Sequence, residues 1–198
     1  MTVVDNHGTE IFYEVTGTGP PLVLQHGRMG SGRVWHDLGY TAALADRTLI
    51  LIDARGHGRS DRPRDPDAYH SSDVATDVVR VLDDIAVDRA DFFGYSMGGR
   101  IGFSAVAHFP DRFNSLIAGG SGPHGPGISR EAELELADTL GDGVEAYVSA
   151  MEAMLQRTVP PGDRAVLLAN DAEALAALAR ATADWPDVTG PVADSEVP

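Results

Sequence analysis

The chain predicts an α/β protein whose mostly parallel sheet is flanked by helices. Three observations carry this prediction. Short apolar runs alternate with helical patterns, an alternating segment opens the chain, and a glycine-rich turn holds a serine between a strand-like run and a helix-like run. Strands that alternate with helices pair in parallel through right-handed crossovers. We therefore expect a sheet that begins with an antiparallel hairpin and is followed by a helical cap.

The first half of the chain supplies the elements of this sheet. Residues 2–16 alternate around a glycine-containing turn, a pattern typical of an antiparallel hairpin. Apolar runs with the length of buried strands are found, in chain order, at 22–25, 48–53, 90–95 and 113–118. Helical spacing predicts helices over 33–45 with Ser31 as the cap, from 71 to about 85, and over 97–108.

The sequence divides into three segments. Residues 1–122 form the predicted core, and their last strand is followed by a glycine- and proline-rich loop over 119–127. Residues 123–184 are the predicted helical cap, rich in Ala, Leu and Glu, with a break at 160–162. Residues 185–198 contain three prolines without periodicity, so we expect a loosely ordered tail.

The composition is that of a globular protein with an acidic charge balance. Thirty Asp and Glu residues stand against fifteen arginines, which gives a formal net charge of −15. This charge repels phosphate backbones and anionic lipid, so neither nucleic acid nor a membrane is expected as a partner. The absence of cysteine excludes disulfides and cysteine nucleophiles. The N-terminal residues lack the basic and apolar regions of a signal peptide, which predicts a cytoplasmic location.

One pentapeptide points to catalysis. Gly94-Tyr95-Ser96-Met97-Gly98 lies between an apolar strand-like run and an apolar helix-like run. A serine needs exposure, a base and an oxyanion site to act as a nucleophile, and the glycines permit a sharp turn that exposes it. The pattern therefore predicts a nucleophile elbow with Ser96 as the catalytic residue. The alternative is a serine in an ordinary glycine-rich turn.

Two further motifs follow predicted strands. His26-Gly27-Arg28 comes directly after the strand at 22–25, and a segment rich in glycine and charge runs from Asp53 to Asp61 after the next strand. The glycines of this segment allow a turn, while Asp53 and Arg55 are suited to tying loops together. Metal binding by Asp53, His57 and Asp61 is the alternative, but nothing in their spacing fixes a ligand geometry. No metal site is predicted.

In these three motifs, which follow one another along the chain at His26, Asp53 and Gly94, the sequence resembles the α/β-hydrolase fold family in its serine-nucleophile, esterase-like branch. The resemblance covers about residues 8–120 and implies that the backbone N–H groups of Arg28 and Met97 form the oxyanion hole. It also implies that His26 is structural and that no cofactor is needed. The Arg28 side chain departs from the expected apolar residue. It either reaches a substrate carboxylate or points to solvent.

The same resemblance exposes what is missing. The family order is nucleophile, acid and histidine, with the last two beyond the cap, whereas this sequence stops at residues 195–198. The catalytic acid and base are therefore unassigned, and His124 is the one weak substitute for the base. Without the last strands, the strand at 113–118 becomes an open edge that invites pairing with another copy or a complementing chain. We expect a portion of a longer hydrolase, or one half of a split or swapped assembly.

These observations leave three functional hypotheses. The first is a hydrolase of small carboxylic esters or lactones that acts through an acyl-enzyme and is inactive alone if the acid and histidine are missing. The second is a non-catalytic truncated or binding protein that keeps only the pocket. The third is a cofactor-free haloperoxidase-like or carbon–carbon bond hydrolase activity. In each of them the partner is a small molecule.

Overall fold

The fold is described from a computed structural model that covers residues 2–125 and 128–198. Residues 126 and 127 of the predicted loop, and Met1 of the predicted core, lie outside this description. The strands are, in chain order, β1 (Val3–Asn6), β2 (Thr9–Thr16), β3 (Pro21–Gln25), β4 (Thr48–Ile52), β5 (Ala90–Tyr95) and β6 (Phe113–Gly119).

The six strands form one sheet in the order β1-β2-β4-β3-β5-β6. β1 and β2 form the predicted antiparallel hairpin, and β2 pairs antiparallel with β4. The inner pairs β4–β3, β3–β5 and β5–β6 are all parallel. The predicted mostly parallel sheet is therefore confirmed, with β6 at the border opposite β1. Because parallel strands end at the same side of a sheet, the turns after β3, β4 and β5 meet there.

Nine helices are found in the described residues. They are α1 (Arg33–Asp37), α2 (Tyr40–Ala43), α3 (Ser71–Asp84), α4 (Met97–His108), α5 (Arg130–Gly141), α6 (Val144–Leu155), α7 (Pro161–Leu168), α8 (Ala172–Thr182) and α9 (Thr189–Asp194). None of them is long and apolar enough to cross a membrane.

The single helix predicted over 33–45 is wrong in one respect. The structure has two short helices there, because Gly39 adopts a left-handed φ of 79° and interrupts the turn. Ser31 does not cap the first of them, since Gly32 occupies the N-cap position and no side chain bonds there. The expected helices α3 and α4 are found at 71–84 and 97–108.

The sheet is covered on both faces. The larger core lies on the side of α3 and α4, and includes fully buried Phe92 and Phe113. A smaller core lies on the side of α1 and α2 and is centred on Trp35. Leu38 is 67% exposed, because it follows the end of α1 at the break in the helix.

The C-terminal part of the chain returns to the core. α5 to α8 form the helical segment where a cap was expected, interrupted before Pro161. Residues 185–198, expected to be a loose tail, instead contain α9 and a buried Trp185. The Trp185 indole Nε1 donates to the carbonyl oxygen of Tyr69 at 2.8 Å. The carbonyl oxygen of Pro198 accepts from the N–H of Leu116 on the border strand β6 at 2.8 Å.

Candidate active site

Ser96 occupies a sharp turn between β5 and α4. Its backbone has φ 53° and ψ −117°, a conformation that residues with a side chain rarely adopt. The Ser96 N–H donates to the carbonyl oxygen of Gly119 at 2.7 Å, and the Ser96 carbonyl accepts from the N–H of Gly99 at 2.9 Å. Strained backbone persists only where its surroundings enforce it, and it clusters at functional sites. The turn is therefore held from the sheet on one side and from α4 on the other.

The glycines of the elbow are required by close packing. A Cβ on Gly94 would lie 2.3 Å from the carbonyl oxygen of Gly98, and a Cβ on Gly98 would lie 2.1 Å from that of Gln25. Both separations are far below a van der Waals contact. α4 can therefore begin directly against β3 and β5 only because these two positions lack side chains.

The turn after β3 lies directly against the elbow. A Cβ on Gly27 would be 3.5 Å from the Cβ of Ser96. Within residues 2–125 and 128–198, neither the N–H of Arg28 nor that of Met97 donates a hydrogen bond to the protein. One of these two amides belongs to Met97, which directly follows Ser96 as the first residue of α4, and the other to Arg28, which directly follows Gly27 on the turn after β3.

His26 is held inside the protein and supports this turn. Its Nδ1 lies 2.8 Å from the carbonyl oxygen of Gly27, and its Nε2 accepts from the N–H of Ala54 at 3.0 Å. Burial lowers the pKa of His26. A neutral ring that donates from Nδ1 and accepts at Nε2 satisfies both contacts, so His26 acts as a bridge between the two turns.

The segment after β4 fixes loops in place through its carboxylates. Asp53 Oδ1 accepts from the N–H of Gly32 at 2.6 Å, and Oδ2 accepts from the N–H of Arg59 at 2.8 Å. Asp61 Oδ2 accepts from the N–H of Glu10 at 2.8 Å. The architectural interpretation of Asp53 is confirmed. In the part of the chain that the structure describes, no three carboxylate or imidazole groups converge as metal ligands would.

No histidine of the described chain bonds Ser96. His124, the weak candidate for the base, is exposed, and its Nδ1 lies 3.1 Å from Thr189 Oγ1. His36 bonds Glu14. His57 is buried, with its Nδ1 3.2 Å from a backbone oxygen. The contacts of the elbow therefore leave the base unassigned.

The side chain of Arg28 does not point to solvent, one of the two directions considered from the sequence, since it is only 16% exposed. Its Nη2 donates to Glu133 Oε2 at 2.8 Å and to Thr182 Oγ1 at 3.0 Å. Arg100 of α4 donates to Glu133 Oε1 at 3.3 Å and to the carbonyl oxygen of Thr182 at 3.1 Å. We call these four residues the arginine cluster. The cluster connects two parts of the core, the turn after β3 and helix α4, to helices α5 and α8.

Sequence reasoning missed three members of this cluster. Glu133 and Thr182 lie on helices whose docking the sequence did not reveal. Arg100 did carry a signal, since it is the one charged residue of α4 before its final histidine. A charge within an apolar helix must find a buried partner.

A cavity of about 320 Å³ opens beside the elbow. Its lining includes Gly27, Arg28, Trp35, Phe93 and Tyr95. Most of this surface is apolar, and Arg28 is its one arginine. A small molecule with an apolar body fits this space, which is lined by Tyr95 of the elbow but not by Ser96.

Comparisons with known proteins agree with this geometry. A 2-(acetamidomethylene)succinate hydrolase of Mesorhizobium japonicum is 33% identical over 147 residues, which are 73% of this chain and 50% of that protein. The 3-oxoadipate enol-lactonase 2 of Acinetobacter baylyi is 44% identical over 69 residues, 35% of this chain and 25% of that protein. The enol-lactonase structure from Burkholderia xenovorans superposes with a TM-score of 0.85 at 25% identity, and the match covers 100% of this chain and 78% of that one.

The match in length is partial. The chain spans about half the length of the curated relatives it matches, with 54%, 56% and 50% of the first three covered. The family model described as alpha/beta hydrolase fold matches residues 20–181, which is most of the chain. With its sheet order, its strained serine turn and this match, the chain belongs to the α/β hydrolase fold family.

Proposed function

We propose that this chain carries the nucleophilic serine of a hydrolase that acts on small carboxylic esters or lactones. The observation that carries the proposal is the strained backbone of Ser96, enforced by two glycines and followed by the amide of Met97, which has no acceptor in the described residues. Relatives named as a 2-(acetamidomethylene)succinate hydrolase and as enol-lactonases support the reaction class.

The proposed chemistry is acyl transfer to water. The Ser96 Oγ attacks the carbonyl carbon, and the carbonyl electrons move to its oxygen. The N–H groups of Arg28 and Met97, with the N-terminal end of α4, stabilise that oxyanion. Collapse of the tetrahedral intermediate breaks the bond to the alcohol oxygen, which takes up the proton that the base removed from Ser96, and leaves an ester on Ser96. Water then attacks this ester and releases the acid. The steps involve no cofactor.

A base must take the proton of Ser96. Because no described histidine bonds Ser96, we assign the base and its acid to a segment that pairs with the border strand β6. His124 is the alternative within the chain. Removal of the base from such an enzyme lowers the rate by several orders of magnitude. The chain by itself is therefore expected to be a slow catalyst.

The second candidate is a non-catalytic binding protein. It is favoured by the contacts of the histidines, none of which forms a hydrogen bond with Ser96 in the described residues. In that case the elbow would be a retained structural feature, and the cavity would bind a ligand without changing it.

Labelling with a fluorophosphonate probe separates the two candidates. Because the base is assigned outside the described residues, the hydrolase predicts slow covalent modification of Ser96, read by intact-mass and peptide mass spectrometry after long incubation and abolished in Ser96→Ala. Ser72→Ala is the matched control, because Ser72 is exposed on α3 and should leave labelling unchanged. Absence of labelling at high probe concentration, in a folded protein that still binds a small acyl ligand, would favour the binding protein.

A further inference from the structure

One side of the sheet is left open to solvent over its last two strands. Phe93 of β5 packs against the smaller core, on the side of α1 and α2. Ile117 of β6 pairs in register with Phe93, and Tyr95 follows Phe93 two positions later, so both side chains point to that same side. Tyr95 and Ile117 are each 59% exposed. Two large side chains of a parallel pair of strands therefore face solvent.

The end of α1 adds a third large side chain to this surface. Leu38 follows α1 and is largely exposed. It lines the cavity of about 320 Å³ together with Phe93 and Tyr95. We call the surface formed by Leu38, Phe93, Tyr95 and Ile117 the uncovered face. It is a contiguous group of aliphatic and aromatic side chains, and such surfaces commonly mark a docking site.

A helix is the element that this side of the sheet lacks. Parallel strands are normally covered by helices on both sides. Here α4 packs against β5 and β6 on the side of the larger core. On the other side, the same two strands present exposed apolar side chains and the cavity. An amphipathic helix laid along the uncovered face would complete the layer.

The connections of the sheet indicate where such a helix comes in a chain. α3 and α4 connect strands in the direction that leads to β6, and they lie on the side of the larger core. Right-handed crossovers that continue in this direction stay on that side. α1 and α2 lie on the other side and connect β3 to β4, which runs back across the sheet. A helix on the uncovered face therefore follows a strand added beside β6 and does not precede it.

The outer side of β6 accepts a backbone partner. The N–H of Leu116 donates to the carbonyl oxygen of Pro198 at 2.8 Å on that side. The enol-lactonase structure from Burkholderia xenovorans superposes over 100% of this chain, whereas the match covers 78% of that structure. The rest of that structure has no counterpart here. A strand and a helix are thus within what a protein of this fold carries in addition.

We propose that the uncovered face is the docking site of an amphipathic helix, supplied by a complementing segment whose preceding strand pairs with β6. This inference deepens the proposed function and rests on it only for the catalytic base, which the same segment would bring. The helix contributes apolar side chains at every third and fourth position, and one of them fills the cavity. The carboxyl end of the added strand lies at the same edge of the sheet as the turn at Ser96.

A second copy of the chain is the competing occupant. Two copies that paired along β6 would extend the sheet but would add no layer over the uncovered face. The two explanations differ in their dependence on Leu38, which lies on α1 and not on the border strand. Helix docking needs this side chain, whereas strand pairing along β6 does not.

Binding of a separate polypeptide tests the proposal. The probe is the part of the Burkholderia xenovorans enol-lactonase that follows its counterpart of Pro198, and calorimetry measures its binding to the parent chain. We expect a complex of one probe with one chain. Leu38→Lys and Ile117→Lys should each weaken binding at least tenfold, because each places a charge among apolar contacts. A benzophenone on the apolar side of the probe's helix should cross-link to residues 34–40 or to Ile117.

Val15→Lys is the matched control. Val15 is 43% exposed on β2, at the opposite end of the same sheet, so this change adds the same charge without touching the uncovered face. It should leave binding of the probe unchanged. Leu38→Lys should also leave the self-association of the parent chain unchanged, as measured by sedimentation velocity.

Three results would overturn the proposal. The first is no binding of the probe to the folded parent, and the second is binding that Leu38→Lys does not weaken. The third is loss of the parent's self-association in Leu38→Lys, because a second copy would then occupy the face. Ser96→Ala should bind the probe as the parent does. Binding without faster fluorophosphonate labelling of Ser96 therefore counts against the proposed function alone, and slow labelling without binding counts against this inference alone.

Discussion

The Cα of Gly98 lies so close to the carbonyl oxygen of Gln25 that a Cβ there would be 2.1 Å from that oxygen. We therefore expect Gly98→Ala to destabilise the protein by about 1–3 kcal/mol, because either α4 or β3 must shift to relieve the overlap. Urea unfolding followed by circular dichroism measures this loss.

The control for that substitution is Gly141→Ala. Gly141 is the last residue of α5, and a Cβ there would meet nothing within 4 Å. This change should be neutral or stabilising by about 0.5 kcal/mol, since alanine restricts the unfolded chain. Equal effects of the two substitutions would contradict the packing argument for the elbow.

Arg55 and Asp77 form a buried ion pair that ties the segment after β4 to α3. The Arg55 Nε and Nη2 each donate to one oxygen of Asp77 at 2.6 Å, and both side chains are 5% exposed. Asp77→Asn leaves the guanidinium without its counter-charge, and we expect a loss of about 3–5 kcal/mol in the free energy of unfolding. Thermal and urea unfolding provide the measurement.

An exposed pair supplies the comparison. Asp37 pairs with Arg33 on α1, where their side chains are 59% and 78% exposed. Asp37→Asn should change stability by no more than about 0.5 kcal/mol. If the buried and the exposed substitution had similar costs, the Arg55–Asp77 pair would not be an anchor of this loop.

His57 should make the protein sensitive to mild acid. Burial, and then the neighbouring His26, lower its pKa to about 3. An unfolded histidine titrates near pH 6.5, so between pH 6.5 and 3 the unfolded chain binds a proton that the folded chain excludes. The free energy of unfolding therefore falls as the pH falls through this window, by about 1.4 kcal/mol per pH unit for this histidine.

The variant His57→Asn isolates this contribution. Its stability, measured by urea unfolding at several values from pH 6 to pH 4.5, should fall less steeply with decreasing pH than that of the parent. His7→Asn is the control, because His7 is exposed in the hairpin turn with a left-handed φ of 53° that asparagine tolerates. An unchanged slope in His57→Asn would show that other groups cause the acid sensitivity.

The border strand β6 should promote self-association. Ile117 is 59% exposed on this strand, and unpaired border strands with apolar side chains recruit other strands. Ile117→Lys should lower the concentration-dependent mass measured by sedimentation velocity while changing stability by less than about 0.5 kcal/mol. Val166→Lys on α7 is the control, because Val166 is equally exposed, at 60%, but lies away from the border. Equal effects of both lysines would point to general hydrophobic association.

The parts of the fold that the sequence predicts are those set by neighbours in the chain. The elbow at Ser96 was predictable because its glycines, strand and helix are adjacent in sequence. The break at Gly39 was not predictable, since a glycine within a helical pattern is often tolerated. Whether the helix continues there depends on tertiary packing, here that of Trp35 against Tyr40.

The side-chain contacts around the site could not be predicted from local sequence patterns. Arg28 bonds Glu133, which lies 105 positions later, and no local pattern encodes that distance. Trp185 is similar, because its proline-rich surroundings indicate disorder while its burial depends on Tyr69 and Arg100. Such contacts depend on how whole helices and strands pack against one another, and the hydrophobic periodicity of the sequence carries no information on that packing.

The bond from the Ser96 N–H to Gly119 has a mechanical consequence. Gly119 is the final residue of β6, the strand at the border of the sheet. The position of the Ser96 hydroxyl therefore depends on how well ordered that strand is. Fraying of β6 would weaken the hydrogen bond to the Ser96 N–H and let the hydroxyl change position. A strand that paired with β6 would hold the hydroxyl in place. The chemistry proposed for Ser96 is in this way coupled to the order of the border strand.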